Sequence, residues 1–178
     1  WCVPWKKGER RKGAAFRVLD EAGTASPVQT WPLAFWPDGS VKWSAHAAVL
    51  DTAKTYRLTE GCAEEELTVK AVKRGATLEI ETGDMACRIT EGGENFWDEV
   101  TLGGKAVCVG AKPVALLERR ETLPDGYRSA VKRCVGRVTS VRLVQDGPVR
   151  CTAEIRGCHS IPGENREWLP YVLRLYFY

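Results

Sequence analysis

Histidine and methionine are scarce in this sequence: His46, His159 and Met85 are the full count in 178 residues. The seven cysteines, Cys2, Cys62, Cys87, Cys108, Cys134, Cys151 and Cys158, include no Cys-x-x-Cys. That spacing argues against a zinc ribbon or a thioredoxin-like redox pair. An odd number leaves at least one thiol unpaired, and isolated cysteines in a strand-rich chain read as small buried hydrophobes. No apolar run approaches the roughly 20 residues of a membrane helix, so no membrane span is expected. Charge of one sign is not in excess: 26 Lys and Arg stand against 23 Asp and Glu, a net +3 spread along the chain. Such a balance gives no electrostatic footprint for nucleic acid. Gly8, Gly13 and the pairs Gly92-Gly93 and Gly103-Gly104 match no nucleotide-binding fingerprint. Neither paired carboxylates nor a Ser/His/Asp order emerges, and no cofactor or metal is expected.

The sequence does contain turns and strands. Asp20-Glu21-Ala22-Gly23, Pro37-Asp38-Gly39, Glu60-Gly61, Arg74-Gly75, Glu91-Gly92-Gly93, Gly103-Gly104, Pro124-Asp125-Gly126 and Asp146-Gly147-Pro148 punctuate the whole chain between short apolar runs, the pattern of all-β sandwiches and barrels. Between them lie runs of Val, Thr, Ile and aromatics at 16–19, 41–50, 67–72, 78–81, 106–109, 136–144 and 151–155. Only 60–71 could carry a helical turn, and Leu67, Val69 and Ala71 alternate as in a strand. Trp36-Pro37-Asp38-Gly39-Ser40 is a hairpin loop: Pro37 presets the first corner, Asp38 bonds locally and Gly39 tolerates positive φ. The returning strand predicts Val41, Trp43, Ala45, Ala47 and Val49 on a core face and Lys42, Ser44 and His46 on a wet one.

A change in character at 73–75 predicts two domains, a small barrel over 1–74 and the opening strands of a sandwich over 75–178. The chain begins at Trp1, with its sole methionine far inside, and stops within a strand pattern at Tyr178; it reads as a piece of a longer product. Tyr171, Leu173, Leu175 and Phe177 alternate with Val172, Arg174 and Tyr176, which predicts an interior strand of a fuller sheet and an association-prone edge in the isolated piece.

The segments Val3-Pro4-Trp5, Pro27-Val28-Gln29, Pro32-Leu33-Ala34 and above all Trp36-Pro37-Asp38-Gly39-Ser40-Val41-Lys42-Trp43 resemble the amino-terminal barrel of the exo-rhamnogalacturonan lyase family. Glu91-Gly92-Gly93, Gly147-Pro148-Val149-Arg150 and Trp168-Leu169-Pro170-Tyr171 are similar to its central sandwich. The resemblance implies an all-β chain, a RIFT-type barrel followed by the first strands of a β-sandwich, with a carboxy-terminal α/α toroid beyond it. It further implies a bacterial protein that degrades rhamnogalacturonan or pectin, a polysaccharide substrate met through the parent protein, packing against that missing helical domain, and a secreted or periplasmic location. Lys6 stands where the family pattern favours a second proline. No catalytic residue of the family matches a position in this chain.

β-Elimination from a uronate needs a base for the proton α to the carboxylate, stabilisation of the enolate and an acid for the leaving oxygen. Lys42 and His46, four residues apart on one strand, are roughly 13 Å apart at the backbone and cannot share a proton. His46 reads as a surface or domain-contact residue, and His159 as a loop residue after a strand. These three are the weak catalytic candidates, and no catalytic residue is expected in this chain. Five of the seven tryptophans precede residue 44. Trp5, Trp36 and Trp43 are candidate sugar contacts, because a flat ring with one polar handle suits a sugar face, although such rings also fill barrels and seams. Two function classes stay open: the non-catalytic front of a polysaccharide lyase, and a carbohydrate-binding or structural β-module of a protein with another activity.

Overall fold

The computed structural model describes residues 1–62, 68–161, 163–164 and 166–178; Leu67 and part of the helical turn considered over 60–71 lie outside them. The described residues form fifteen strands and no helix, so the chain is all-β, and none of it is a helix long and apolar enough to cross a membrane. It divides into two compact units, 1–70 with 146–151 and 178, and 71–145 with 152–177.

In the first unit, β1 (Cys2–Pro4), β5 (Val41–Ala47) and β4 (Gln29–Phe35) make one sheet in the order β1-β5-β4. A second sheet runs β3-β2-β6, from β3 (Ala25–Pro27), β2 (Phe16–Asp20) and β6 (Tyr56–Glu60). Pro4, Pro27 and Pro32 all fall on outer strands, where a missing N–H costs no ladder bond. The β4–β5 register shifts on both sides of Ala34, next to Pro32 and at the entry to the Trp36–Ser40 loop. In that loop Gly39 adopts φ 79° and its N–H donates to the Trp36 carbonyl at 2.9 Å. Asp38 Oδ1 accepts from the Ser40 N–H and hydroxyl at 3.0 and 2.6 Å. These bonds hold the Asp38 carboxyl below its ordinary value.

The core of this unit buries Phe16, Val18, Val28, Val41, Ala45, Val69 and Val149. It also buries polar groups, and β5 departs from the alternation expected of it. Ser44 and His46 are buried while Trp43 is 40 % exposed and Val49 lies open. The physical reason is position: β5 lies between β1 and β4, Val41 and Ala45 fill one of its faces, and bonded polar side chains fill the other. Gln29 caps the 146–151 segment, its Oε1 accepting from the Arg150 N–H at 2.7 Å. Gly147 makes room for it, since a β-carbon there would stand 2.4 Å from the Gln29 side chain.

The second unit is a two-sheet sandwich. Five strands run β11-β10-β9-β8-β7: β7 (Val69–Arg74), β8 (Thr77–Thr82), β9 (Met85–Thr90), β10 (Trp97–Leu102) and β11 (Lys105–Ala111). Four run β12-β13-β14-β15: β12 (Val114–Leu123), β13 (Gly126–Gln145), β14 (Cys151–Ser160) and β15 (Glu167–Phe177). Leu78, Ile80, Cys87 and Ile89 face Val138, Val141, Ala153 and Ile155 in a core where each large aliphatic contributes about 1.5–3 kcal/mol. Backbone bonds join the layers, Gly92 N–H to the Val138 carbonyl at 3.0 Å and Val138 N–H to the Gly93 carbonyl at 2.7 Å. Cys87, Cys134 and Cys151 are buried, Cys108 and Cys158 are half-buried, and Cys2 and Cys62 are exposed; all seven are free thiols.

On β14 successive side chains point to opposite faces of the sheet. Ala153, Ile155, Gly157 and His159 point into the sandwich, and Glu154, Arg156 and Cys158 point to the opposite face. Glu154 is nonetheless 4 % exposed. Its Oε1 accepts from Arg156 Nε at 2.8 Å and its Oε2 from Arg174 Nε at 3.0 Å. Those two bonds, Arg156 first, hold the Glu154 carboxyl below its ordinary value.

Candidate functional site

The tryptophan-rich start of the chain gathers around one polar chain of contacts in the first unit. Trp5 Nε1 donates to Ser44 Oγ at 2.8 Å; Ser44 Oγ lies 2.7 Å from His46 Nε2, and Thr30 Oγ1 lies 2.9 Å from His46 Nδ1. When the Ser44 hydroxyl donates to Nε2 and Nδ1–H donates to Thr30 Oγ1, the Trp5 N–H and both ring nitrogens each have a partner. Trp1 stacks on the imidazole at 5.5 Å and the edge of Phe16 meets it at 5.2 Å. His46 is 2 % exposed, so it is a core histidine and not the surface or domain-contact residue expected. Hydroxyl partners on β4 and β5 make that burial affordable, which strand alternation alone does not reveal. Burial, with the Trp1 amino group nearby, pushes its pKa below the ordinary value and keeps the ring neutral. Both ring nitrogens are engaged, leaving no lone pair for a substrate proton.

Lys42 does not join His46. Its ammonium sits 4.6 Å over the Trp36 ring, whose Nε1 donates to the Trp5 carbonyl at 3.1 Å. The Trp5 ring has the Arg10 guanidinium over it at 4.7 Å and Phe16 stacked at 5.4 Å. A cleft of about 50 Å³ runs beside Trp5, Arg10, Phe16, Thr30 and Ser44, room for a water or two and not for a sugar ring. Of the three candidate sugar contacts, Trp5 and Trp36 therefore meet protein cations over their rings, and Trp43 has the most exposed surface. Arg10 was not legible as part of this group, because four residues of irregular chain lie between it and Trp5.

His159 is in the second unit, on β14 and not in a loop, because pairing with β13 extends through Gly136 and His159. It is 5 % exposed. Its Nδ1 donates to the Leu169 carbonyl at 2.9 Å, and Tyr171 meets the ring edge-on at 5.3 Å. Its Nε2 is buried without a hydrogen-bond partner among the described residues, as is the Tyr171 hydroxyl. Burial raises the Tyr171 pKa, and burial with Asp146 nearby pushes the Cys151 thiol up to about 11. Neither group is an ionised nucleophile near neutral pH. The described residues hold no cluster of three His, Cys, Asp or Glu able to bind a metal ion.

Residues 1–70 match the domain family described as the PcRGLX-like N-terminal RIFT barrel domain, and residues 69–178 match the PcRGLX-like protein central beta sandwich domain. The chain belongs to the PcRGLX-like family. The resemblance to the exo-rhamnogalacturonan lyase amino-terminal domains is thereby borne out, as is the all-β barrel-and-sandwich class. The uncharacterized protein YetA of Bacillus subtilis (strain 168) is 33% identical over 183 residues, covering 100% of this chain and 21% of that relative. The PcRGLX-like chain thus spans about a fifth of the relative's length. The Glu154, Arg156 and Arg174 group in its sandwich escaped the sequence reading. Glu154 and Arg156 do carry a signal, being two apart and so on one strand face, whereas nothing local ties Arg174 to them.

Proposed function

We propose that this chain supplies the non-catalytic amino-terminal β-domains of a polysaccharide lyase-like protein that acts on rhamnogalacturonan or a related pectin by β-elimination. The reaction belongs to a helical domain outside the chain, against which the β-domains pack, and a polymeric substrate favours a secreted or periplasmic parent. The observation that supports this best is the state of the two histidines. His46 has both nitrogens bonded within its own core, and His159 keeps its one unpaired nitrogen inside the sandwich. Neither presents a base to a sugar, and Lys42 rests on Trp36.

A second reading, a carbohydrate-binding or structural module of a protein with another activity, draws on the exposed ring of Trp43 with Phe35 and Leu33 also exposed on β4. Kinetics of the full-length protein on rhamnogalacturonan separate the two. Release of unsaturated uronate, with kcat unchanged by Lys42→Ala and His46→Gln, is the expected result. No unsaturated product from the full-length protein on any pectin fraction overturns the lyase reading and favours the module.

A further inference from the structure

We infer that the outward face of the four-stranded sheet carries a carboxylate clamp, in which the Arg156 and Arg174 guanidinium groups, both held by Glu154, take a uronate carboxylate of an acidic polysaccharide. The ligand class rests on the reading above; the clamp rests on the sheet.

The first observation is a surplus. A single arginine would neutralise Glu154, yet two meet it, at 2.8 and 3.0 Å, and their side chains stay 51% and 58% exposed. Register adds more positive charge to the same face: Arg142 lies opposite Glu154, and Arg137 opposite Cys158. The acids placed beside them are Glu154 itself and Glu167, the latter next to Cys158. Around Glu154 the β13–β14 register thus sets more guanidinium groups than carboxylates.

The second observation is orientation. Each of the two arginines meets Glu154 through Nε. The terminal amino groups of both forks have no other partner among the described residues. A carboxylate buried between strands thus fixes two planar donors from one end and leaves the other end open, which is how bidentate oxyanion recognition is preorganised. Val172 and Tyr176 flank Arg174 on the same side of β15, and both are exposed. An aromatic and an aliphatic surface beside two cations suits the apolar face of a sugar ring that carries a carboxylate.

Calorimetric titration of this chain with an oligogalacturonate, and with the same oligomer after reduction of its carboxyl groups, tests the clamp. The acidic oligomer is expected to bind and the reduced one not to. The double variant Arg156→Gln/Arg174→Gln should weaken binding about tenfold or more, the loss expected for charge-assisted bonds. Glu154→Gln is the sharper arm. It makes the face more positive, so a diffuse basic patch binds a polyanion more tightly, whereas a clamp that has lost its anchor binds more weakly. If that variant does not fold, the half-exposed arginine pair decides the matter alone.

Unchanged affinity in the double variant, tighter binding by Glu154→Gln, or equal binding of the reduced oligomer overturns the clamp. So does a double variant that binds the sugar normally but no longer associates with the remainder of the parent protein, which makes the face a protein interface. Failure of the lyase reading shows separately, as absence of unsaturated product from the full-length protein.

Discussion

Tyr171 lies directly over Gly157: a β-carbon added to that glycine would stand 2.3 Å from the phenol's ring carbon and oxygen. The same ring covers Gly136, where an added β-carbon would be 2.9 Å away. Two glycines on neighbouring strands β13 and β14 open the lane in which an aromatic from β15 crosses the sheet. Gly157→Ala should therefore destabilise the chain by about 1–3 kcal/mol through overpacking. The Arg137 backbone carbonyl oxygen would stand 2.2 Å from the same β-carbon, so a Tyr171→Ala background should relieve only part of the cost, and denaturant melts of the four proteins measure that coupling. Equal costs in both backgrounds would mean that the tyrosine does not dictate the glycine.

Tyr171 also buries a hydroxyl without a hydrogen-bond partner among the described residues. Removing an unsatisfied buried group removes its desolvation penalty, so Tyr171→Phe should melt at or above the parent temperature. A loss of about 1 kcal/mol or more would reveal a bonded hydroxyl.

The Trp36–Ser40 loop predicts its own sensitive position. Gly39 stands at φ 79°, with open space around the place of a β-carbon. The cost of a side chain there is thus backbone strain and not collision. Gly39→Val should lose about 1–2 kcal/mol in thermal or chemical melts, and a variant as stable as the parent contradicts the loop geometry.

Acid should weaken the first unit through His46. Burial lowers its pKa from the ordinary 6.5 in the folded chain, so the unfolded chain takes up a proton at higher pH than the folded one. Its contribution to stability is complete above about pH 7 and falls as pH drops through 6.5 toward the folded value. Glu154 acts in the same sense at lower pH. Its depressed carboxyl contributes above the ordinary 4.5 and is lost as pH falls through the folded value. His46→Gln should flatten the decline that sets in as pH falls through the ordinary 6.5, while leaving the carboxylate decline at lower pH. An unchanged slope there would show that His46 is not the group responsible.

Turn chemistry and period-2 alternation make the all-β class legible in the sequence. Pro37-Asp38-Gly39 announced its loop, and 16–19, 78–81 and 151–155 announced their strands. β4 went unseen because Pro32 interrupts its pattern, and the bulges beside Ala34 that accommodate it leave no trace in sequence. His46 was misread for a different reason. Alternation says which residues share a face, but a polar residue on a central strand is buried when its neighbours supply partners, and Thr30, Ser44 and Trp5 come from three separate segments. The Glu154 group was half legible for the same cause, since Arg174 arrives from another strand.

The most direct measurement compares this chain with the full-length protein on one rhamnogalacturonan fraction, following ultraviolet absorbance of the unsaturated uronate that elimination creates. The account predicts a rise with the full-length protein and none with residues 1–178 alone. Absorbance generated by the isolated β-domains would place the base and acid within them and contradict the central claim.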